Sequence, residues 1–234
     1  DDAPLLKRLL RCNWRVGFIC KRAYAAGAGN DYLAGYARQF CDRVFVWRTS
    51  IDTQAYQLKT GSGPRRVVGW TGSQSTSIYL AELLPALAAL QQETDFDLLV
   101  VGARLDLAAS GVKGECIAWQ AETEAETVCR MDVGLMPLYD TPWELGKCSL
   151  KALQYQAVGI PAIVSDVGMN NIAVKDEETG LLVPPGGDWK APIRRVLENE
   201  TLRAEYGQAA RRHVEAHFSA DVVVRAIIND LELA

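Results

Sequence analysis

The stretch from Val133 to Asn171 constrains the fold of this chain most. It contains an apolar run from Val133 to Leu138, a polar loop with lysines, a helix-like segment from Ser149 to Val158, a Gly-Ile-Pro break and a second apolar run from Pro161 to Val164. This pattern predicts a β-loop-α-β unit. In open α/β sheets, ligands bind outside the carboxyl ends of the strands, where helix N-termini favour anions. The first loop of the unit is therefore the predicted functional region.

The same alternation of apolar runs and helix-like segments extends over most of the chain. Further strands are predicted at Arg66–Trp70, Asp97–Val101, Cys116–Trp119 and Gly180–Val183. Further helices are predicted at Ser77–Gln92, Glu122–Arg130, Asp188–Glu198, Glu200–His217 and Ser219–Leu231. Strands that alternate with helices at this spacing predict an α/β fold, with a Rossmann-like parallel sheet covered by helices on both faces.

The first part of the chain carries a weaker signal of the same kind. Asn30 and Asp31 predict the N-cap of a helix ending near Phe40, and Val44–Trp47 predicts a short strand. We interpret Gly27-Ala28-Gly29 as a tight turn. The glycine- and proline-containing segment Lys59–Pro64 predicts a linker, and with it a domain boundary.

Charge and cysteine content exclude several classes of protein. A net charge of −4 at pH 7 and a pI near 5.3 give no broad basic field, so a nucleic-acid partner is not expected. The six cysteines form no CxxC pair, which argues against a zinc ribbon or a disulfide framework and fits a reducing cytoplasm. No apolar stretch approaches the roughly 18 residues of a membrane-spanning helix.

One segment leaves two interpretations open. From Leu5 to Arg22, basic residues alternate with apolar ones at helical spacing. A core-packing helix with a solvated cationic face is favoured, because the apolar positions fit a buried stripe. The alternative is peripheral contact with a membrane surface, at the inner face of the membrane.

Two patterns that suggest metal binding are weak. Asp95-Phe96-Asp97 is a DxD, but it precedes its strand and so lies at the edge of the sheet opposite the ligands, where a helix-to-strand turn is the better interpretation. His213 and His217 share a helix face without a third ligand, and a solvated face is favoured. No metal site is therefore predicted.

Lys147 and Lys151 form the strongest candidate site. They lie one turn apart around a helix start, next to the backbone N–H groups of Ser149 and Leu150. Cations at a helix N-terminus oppose the helix dipole, at a cost of a few tenths of a kcal/mol each, and an anionic ligand turns that cost into a gain. A site for a diphosphate is favoured over two exposed lysines.

The motifs DVGLMPL, DTPWELGKCSLKALQYQAVGIPAIVSDVGMNN, ETGLLVPPGG and LRAEYGQAARRHVEAHFS together resemble family 4 glycosyltransferases of the GT-B fold. The resemblance implies a nucleotide-sugar donor, such as a UDP- or GDP-sugar, and transfer with retention to a glycan or glycolipid acceptor in bacterial polysaccharide biosynthesis. It implies neither a metal nor a cofactor.

The resemblance further suggests individual roles. Gly72 and Ser73 occupy the loop that lies near the diphosphate in the family, and Trp119 falls in the base-contacting segment, although an indole there fits an ordinary core equally well. The two glutamates of the family pattern fall on Gly146 and Gln154.

Substitutes for these glutamates are present nearby. Gln154 is expected to bond the ribose, and Glu144 to reach the sugar from two residues earlier in the loop. Lys147 is expected to stabilise the departing diphosphate. The catalytic candidates are therefore Glu144 and Lys147.

The resemblance also implies a division of the chain. Residues 1–57 would be a remnant of the N-terminal acceptor domain, 58–218 the donor-binding domain, and 219–234 a helix that packs back on the first part. Such a fragment is expected to be inactive alone if it is truncated. The alternatives are a nucleotide-binding module without catalysis and a nucleotide-sugar epimerase of the same fold.

Overall fold

The computed structural model describes residues 13–61 and 63–232. Its strands are β1 (Ala26–Ala28), β2 (Val44–Val46), β3 (Arg66–Thr71), β4 (Phe96–Val101), β5 (Gly114–Ile117), β6 (Val133–Met136), β7 (Ala162–Ser165) and β8 (Gly180–Val183). Its helices are α1 (Asn13–Cys20), α2 (Asp31–Ala37), α3 (Ser77–Ala81), α4 (Leu84–Leu90), α5 (Glu124–Cys129), α6 (Pro142–Leu145), α7 (Leu150–Ala157), α8 (Asn170–Ala173), α9 (Lys190–Glu198), α10 (Glu200–His217) and α11 (Ala220–Leu231).

Six of these strands form one parallel sheet in the order β5-β4-β3-β6-β7-β8. The predicted α/β fold with a parallel sheet is thereby confirmed. The strand order reverses between β3 and β6, where chain neighbours diverge to opposite sides of the sheet. Loops that leave the carboxyl ends of strands at such a reversal form a crevice for ligands. The loops after β3 and β6 therefore define where a ligand site is expected.

Apolar side chains cover both faces of the sheet. One core cluster is built around Trp70, Leu98 and Leu135, and the other around Leu99, Leu153 and Tyr155, all less than 3% exposed. The ring of Tyr155 lies directly on the backbone of Gly134, because a Cβ there would come within 2.2 Å of the ring. This close contact holds α7 against β6 and so sets the position of the α7 N-terminus.

A smaller unit precedes the sheet. β1 and β2 pair in parallel, and the side chain of Asn30 caps α2 by accepting from Leu33 N at 2.9 Å, which confirms the predicted N-cap. The tight turn expected at Gly27-Ala28-Gly29 is wrong, because β1 includes Gly27. Gly27 is needed for packing instead: a Cβ there would come within 2.0 Å of the Trp47 ring.

The last helix lies against this smaller unit. Trp47 Nε1 donates to Asp230 Oδ2 on α11 at 2.9 Å, and Ile51 bridges to Ser219 just before the helix. These contacts connect the last helix to the segment after β2.

The segment Leu5–Arg22 differs from its favoured interpretation. Residues 5–12 lie outside the described residues, and in α1 the apolar Trp14, Phe18 and Ile19 are 61%, 51% and 65% exposed rather than buried. Among the described residues, no helix combines the length and the apolar character needed to cross a membrane.

Two other elements differ from the sequence pattern. The helix expected over Ser77–Gln92 is interrupted before Pro85 into α3 and α4, and the short helix α6 appears within the loop after β6. The side chain of Thr141 caps α6 and Pro142 opens it, an arrangement that helix starts favour. The predicted polar loop thus contains one short helix.

Candidate donor-binding site

The candidate residues after β3 and around α7 meet at the carboxyl edge of the sheet. Lys151 places its ammonium group 4.7 Å from the centroid of the Trp70 ring. A Cβ on Gly72 would come within 2.8 Å of Lys151 Nζ and 2.3 Å of the Trp70 ring, so only glycine fits there. Ser73 follows as an exposed residue that opens a short turn at Gln74–Thr76.

Lys151 is a half-buried cation without a carboxylate partner among the described residues. Burial lowers the pKa of its ammonium group to about 8, and the charge of Lys147 contributes to the same shift. A lysine in this state gains from any anion that approaches it, because the anion offsets both the lost hydration and the repulsion.

The N-terminus of α7 faces the same space with its backbone donors. Ser149 stands before it in the left-handed conformation, with φ 58° and ψ 24°, and no side chain caps the helix. The hydroxyl of Ser149 donates to Asn170 Oδ1 at 2.7 Å instead. The first N–H groups of α7, including that of Leu150, therefore have no partner within the helix and suit an anion.

Lys147 is positioned by an aromatic ring and a buried carboxylate. Its ammonium group lies 4.9 Å from the centroid of the Tyr79 ring, and the Tyr79 hydroxyl donates to Glu144. Glu144 is 3% exposed and also accepts from the hydroxyl of Thr141. Burial alone would raise the pKa of this carboxyl, but the two hydroxyls and the charge of Lys147 hold it below its usual value.

This arrangement differs from the expectation that Glu144 reaches the sugar. Its side chain is enclosed, at 3% exposure, and each carboxylate oxygen accepts one internal hydrogen bond. Its geometry suits holding Tyr79, and through it Lys147, in place. Sequence reasoning missed Tyr79 because it lies 65 residues away from Glu144 along the chain.

Asn30 holds the loop from the opposite side. Besides capping α2, its amide Nδ2 donates to the carbonyl oxygens of Leu145 and Lys147, each at 3.0 Å. Asn30 is 4% exposed, so these bonds are shielded from water. Gly146, at one of the two family glutamate positions, lies between these carbonyls at the C-terminus of α6. Nothing in the sequence pattern signalled this contact between the smaller unit and the loop.

Trp119 lies at the edge of the site and is 51% exposed, so it is not an ordinary core residue. A Cβ on Gly102 would come within 2.3 Å of the Gly72 carbonyl oxygen and 3.2 Å of Trp119 Cβ, which joins the Trp119 segment to the loop after β3. Trp119 Nε1 donates to Glu124 Oε1 at 2.5 Å. The indole is thereby fixed next to the loop that carries Gly72.

Gln154 belongs to a buried hydrogen-bond chain. It is 6% exposed, and its Nε2 donates to the Tyr56 hydroxyl at 3.0 Å. That hydroxyl donates to Glu124 Oε2 at 2.6 Å. Glu124 therefore accepts from Tyr56 and Trp119 at once, and the chain runs from Gln154 to the indole. Sequence reasoning identified its two ends and missed the two residues between them.

The weak metal patterns gain no support. Asp95 and Asp97 both pair with Arg65 at the amino edge of the sheet. The rings of His213 and His217 lie 4.9 Å apart, with His213 Nε2 3.3 Å from the Ile172 carbonyl oxygen. Within the described part of the chain, no three histidine, cysteine or carboxylate side chains are grouped as a metal site would require.

Comparison with known families decides the class of this fold. Residues 65–199, more than half of the chain, match the model of the family described as glycosyl transferases group 1. The chain belongs to the group 1 glycosyltransferases. Its six-stranded parallel sheet corresponds to that of the C-terminal domain in GT-B members of this family.

Curated relatives of this glycosyltransferase chain match over a short segment. A D-inositol 3-phosphate glycosyltransferase from Gordonia bronchialis is 37% identical over 87 residues, which are 36% of this chain and 19% of the relative. The same enzyme from Salinispora arenicola is 39% identical over 82 residues, 34% of this chain and 18% of the relative. The matched segment thus spans less than a fifth of these relatives.

Solved structures share the fold over nearly the whole chain. Sucrose-phosphate synthase from Thermosynechococcus elongatus matches with a TM-score of 0.73 at 20% identity, covering 93% of this chain and 60% of that protein. Anabaena HepE, solved in complex with UDP-glucose, matches with a TM-score of 0.74 at 14% identity, covering 94% and 66%. This glycosyltransferase chain therefore spans about two thirds or less of the length of these two structures.

Proposed function

We propose that this chain binds a nucleoside-diphosphate sugar and contributes to the transfer of its sugar, with retention, to a glycan or glycolipid acceptor. The observation that carries the proposal is the pair Lys147 and Lys151 beside the uncapped N-terminus of α7. Among the described residues, neither lysine forms an ion pair with a carboxylate within 4.0 Å, and burial lowers the pKa of Lys151, so a diphosphate would stabilise both charges. That the HepE structure holds UDP-glucose supports the same ligand class here.

The chemistry follows from where charge develops. When the bond between the sugar and the diphosphate breaks, negative charge grows on the leaving oxygen. Lys147, Lys151 and the N–H groups at Leu150 would stabilise that charge without a metal ion. Glu144 would act on this step through Tyr79, which positions Lys147.

The acceptor would enter between the two units of the chain. A cavity of about 680 Å³ lies between α2 and α6 and is lined by Tyr32, Tyr36, Trp143, Lys147 and other, mostly apolar residues. Its aromatic walls suit the faces of sugar rings, and Lys147 connects it to the proposed diphosphate site. We assign residues 1–57 to the acceptor side, 58–218 to the donor domain, and 219–234 to a helix that packs back on the first part.

A glycolipid acceptor would bring the chain to a membrane from the cytoplasmic side. The exposed Trp14, Phe18 and Ile19 of α1, next to Arg15 and Arg22, suit the surface of an anionic bilayer. Flotation with anionic and neutral liposomes tests this contact, and equal recovery with both would contradict it.

Donor binding is tested by calorimetry and thermal melting with a panel of UDP- and GDP-sugars. A ligand at 100 times its dissociation constant stabilises the folded state by about 2.7 kcal/mol. Lys147→Ala and Lys151→Ala are each expected to weaken binding about tenfold or more, because hydrogen bonds to charged groups contribute about 1.5–3 kcal/mol. Lys113→Ala, an exposed lysine away from the site, is the control.

Two results would contradict the proposal. If no nucleotide sugar shifts the melting temperature, the donor site does not exist. If binding occurs but both lysine variants bind as the unaltered chain does, the diphosphate lies elsewhere. Product analysis with donor and acceptor then separates the three alternatives. Transfer moves the sugar to the acceptor, epimerisation leaves an altered sugar on the nucleotide, and binding without catalysis leaves the donor unchanged.

A further inference from the structure

We propose that Glu124 is the residue that accepts hydrogen bonds from the ribose hydroxyls of the bound nucleotide. This inference rests on the proposed donor function, and it assigns to Glu124 and its partner Tyr56 the part of the site that the family pattern places at position 154.

The first step concerns Gln154. An amide at this position is neutral, and its Nε2 already donates to the Tyr56 hydroxyl at 3.0 Å inside a buried contact. It therefore offers a weaker acceptor than a carboxylate would, and its donor is engaged. The charged acceptor nearest to it in this hydrogen-bond chain is Glu124, which lies one hydroxyl further on.

The second step concerns the hydrogen-bond acceptor positions of Glu124 that are still free. Its Oε1 accepts from Trp119 Nε1 at 2.5 Å and its Oε2 from the Tyr56 hydroxyl at 2.6 Å. A carboxylate has about four acceptor positions, two on each oxygen. One position on each oxygen thus remains, and the side chain is only partly buried. Two vicinal hydroxyl groups are the kind of donor that such a pair of oxygens accepts.

The third step is location. Trp119 adjoins Gly102, Gly102 adjoins the Gly72 carbonyl, and Lys151 lies against Gly72. A nucleotide whose base lies on Trp119 and whose diphosphate lies at Lys151 must place its ribose between them. Glu124 is tied to Trp119 on one side and, through Tyr56, to Gln154 of α7 on the other.

Tyr56 gives the arrangement its rigidity. It is 9% exposed and lies in the segment that precedes the linker, so its hydroxyl joins that segment to α5 and α7. Burial and the neighbouring Glu124 raise the pKa of this hydroxyl, which therefore stays protonated and continues to donate. The carboxylate is held in one orientation before any ligand arrives.

The test compares ribonucleotides with deoxyribonucleotides. Calorimetry measures the affinity of the chain for UDP and GDP and for their 2′-deoxy and 3′-deoxy analogues. The unaltered chain is expected to bind the ribonucleotide about tenfold or more tightly than the deoxy analogues, as loss of a hydrogen bond to a charged group predicts. In Glu124→Gln this preference is expected to fall below about threefold, with the affinity for the deoxy analogues little changed.

Two further variants separate recognition from folding. Glu126→Gln removes the same charge from an exposed position of α5 and should keep the preference. Tyr56→Phe removes the hydroxyl that orients Glu124 but leaves the carboxylate, so it should lower the melting temperature and reduce the preference less than Glu124→Gln does. Retention of the full preference in Glu124→Gln would overturn the assignment, as would its loss in Gln154→Leu alone. If the unaltered chain binds neither UDP nor GDP, the proposed function itself fails.

Discussion

Replacing Lys151 with methionine should make the unliganded protein more stable and the donor site weaker. Methionine keeps an unbranched chain of similar length against Trp70 and removes only the ammonium group. The pKa of Lys151 falls from 10.5, the ordinary value for lysine, to about 8, chiefly through burial. At about 1.4 kcal/mol per pH unit this corresponds to about 3 kcal/mol, and to about 2 kcal/mol after allowance for the part of the group that water still screens.

The sign of the pH dependence follows from proton binding. Between about pH 8 and 10.5 the folded protein has released the Lys151 proton while the unfolded chain still holds it. The unfolded state then binds more protons, so the Lys151 contribution to stability rises with pH across this interval. Below pH 8 both states are protonated, and the full cost of burying the charge is present.

Urea unfolding of both proteins at pH 7 and at pH 10.5 measures this cost. At pH 7 the Lys151→Met variant should be more stable by about 2 kcal/mol, or about 4–8 °C in melting temperature. At pH 10.5 the difference should nearly vanish, whereas Lys113→Met, an exposed control, should show no such trend. Saturating UDP should stabilise the unaltered protein and much less the variant. Equal stabilities at pH 7, or a difference that does not change with pH, would refute the burial argument.

Three further substitutions probe the surroundings of the site. Gly207→Ala in α10 should lower the unfolding free energy by about 2 kcal/mol in urea, because the new Cβ would lie 2.1 Å from the Gly159 carbonyl oxygen. Gly35→Ala in α2, where no atom lies within 4 Å of the new Cβ, should be neutral or stabilising. Equal effects of the two substitutions would contradict the packing argument. Asn30→Ser keeps an N-cap for α2 but loses both hydrogen bonds to the carbonyl oxygens of Leu145 and Lys147. Amide hydrogen exchange at residues 144–148 should therefore accelerate, and the affinity for UDP should fall several-fold. Unchanged exchange would show that the loop keeps its conformation without Asn30. In Gln154→Glu, the new carboxylate would compete with Glu124 for the single Tyr56 hydroxyl proton, so the pKa of the new carboxyl should rise. The variant should lose about 1–3 kcal/mol of unfolding free energy at neutral pH and regain it as the pH falls. Unfolding curves that do not converge with those of the unaltered protein at low pH would argue against this.

The fold followed from local signals to a large extent. β8 and α10 match their predicted bounds because apolar runs between turn residues and a capping Asn199 are read over short distances. The signals failed where packing decided the outcome. Gly27 was predicted to lie in a turn, but it lies in β1, where the absence of a side chain leaves room for the Trp47 ring. The two residues are 20 positions apart, and no local pattern encodes their contact.

The same limit applies to the site. Lys147, Ser149 and Lys151 were predicted together because one helical turn brings them together. The residues that orient them are remote in sequence: Tyr79 is 65 positions from Glu144, and Asn30 is 117 positions from Lys147. The residues that would contact a bound ligand can therefore be predicted from one segment. The side chains that hold those residues in place depend on the whole fold.

The two units of the chain contribute unequally to the sheet and to the site. The core cluster that contains Trp70 takes none of its described members from before Val68, whereas the opposite cluster includes Ile51 and Tyr56. The solved C-terminal domain of a Francisella tularensis group 1 glycosyl transferase shares this fold, matching 73% of this chain with a TM-score of 0.59 at 14% identity.

The first unit also supplies hydrogen bonds to residues of the candidate site. Without residues 13–57, the carbonyls of Leu145 and Lys147 would lose the Asn30 amide, and Glu124 and Gln154 would lose the Tyr56 hydroxyl that joins them. These losses include one at Lys147, proposed to lie at the diphosphate, and one at Glu124, proposed to lie at the ribose. The first unit thus contributes directly to the geometry of the ligand edge, and movement of one unit against the other would alter the proposed donor site through Asn30 and Tyr56.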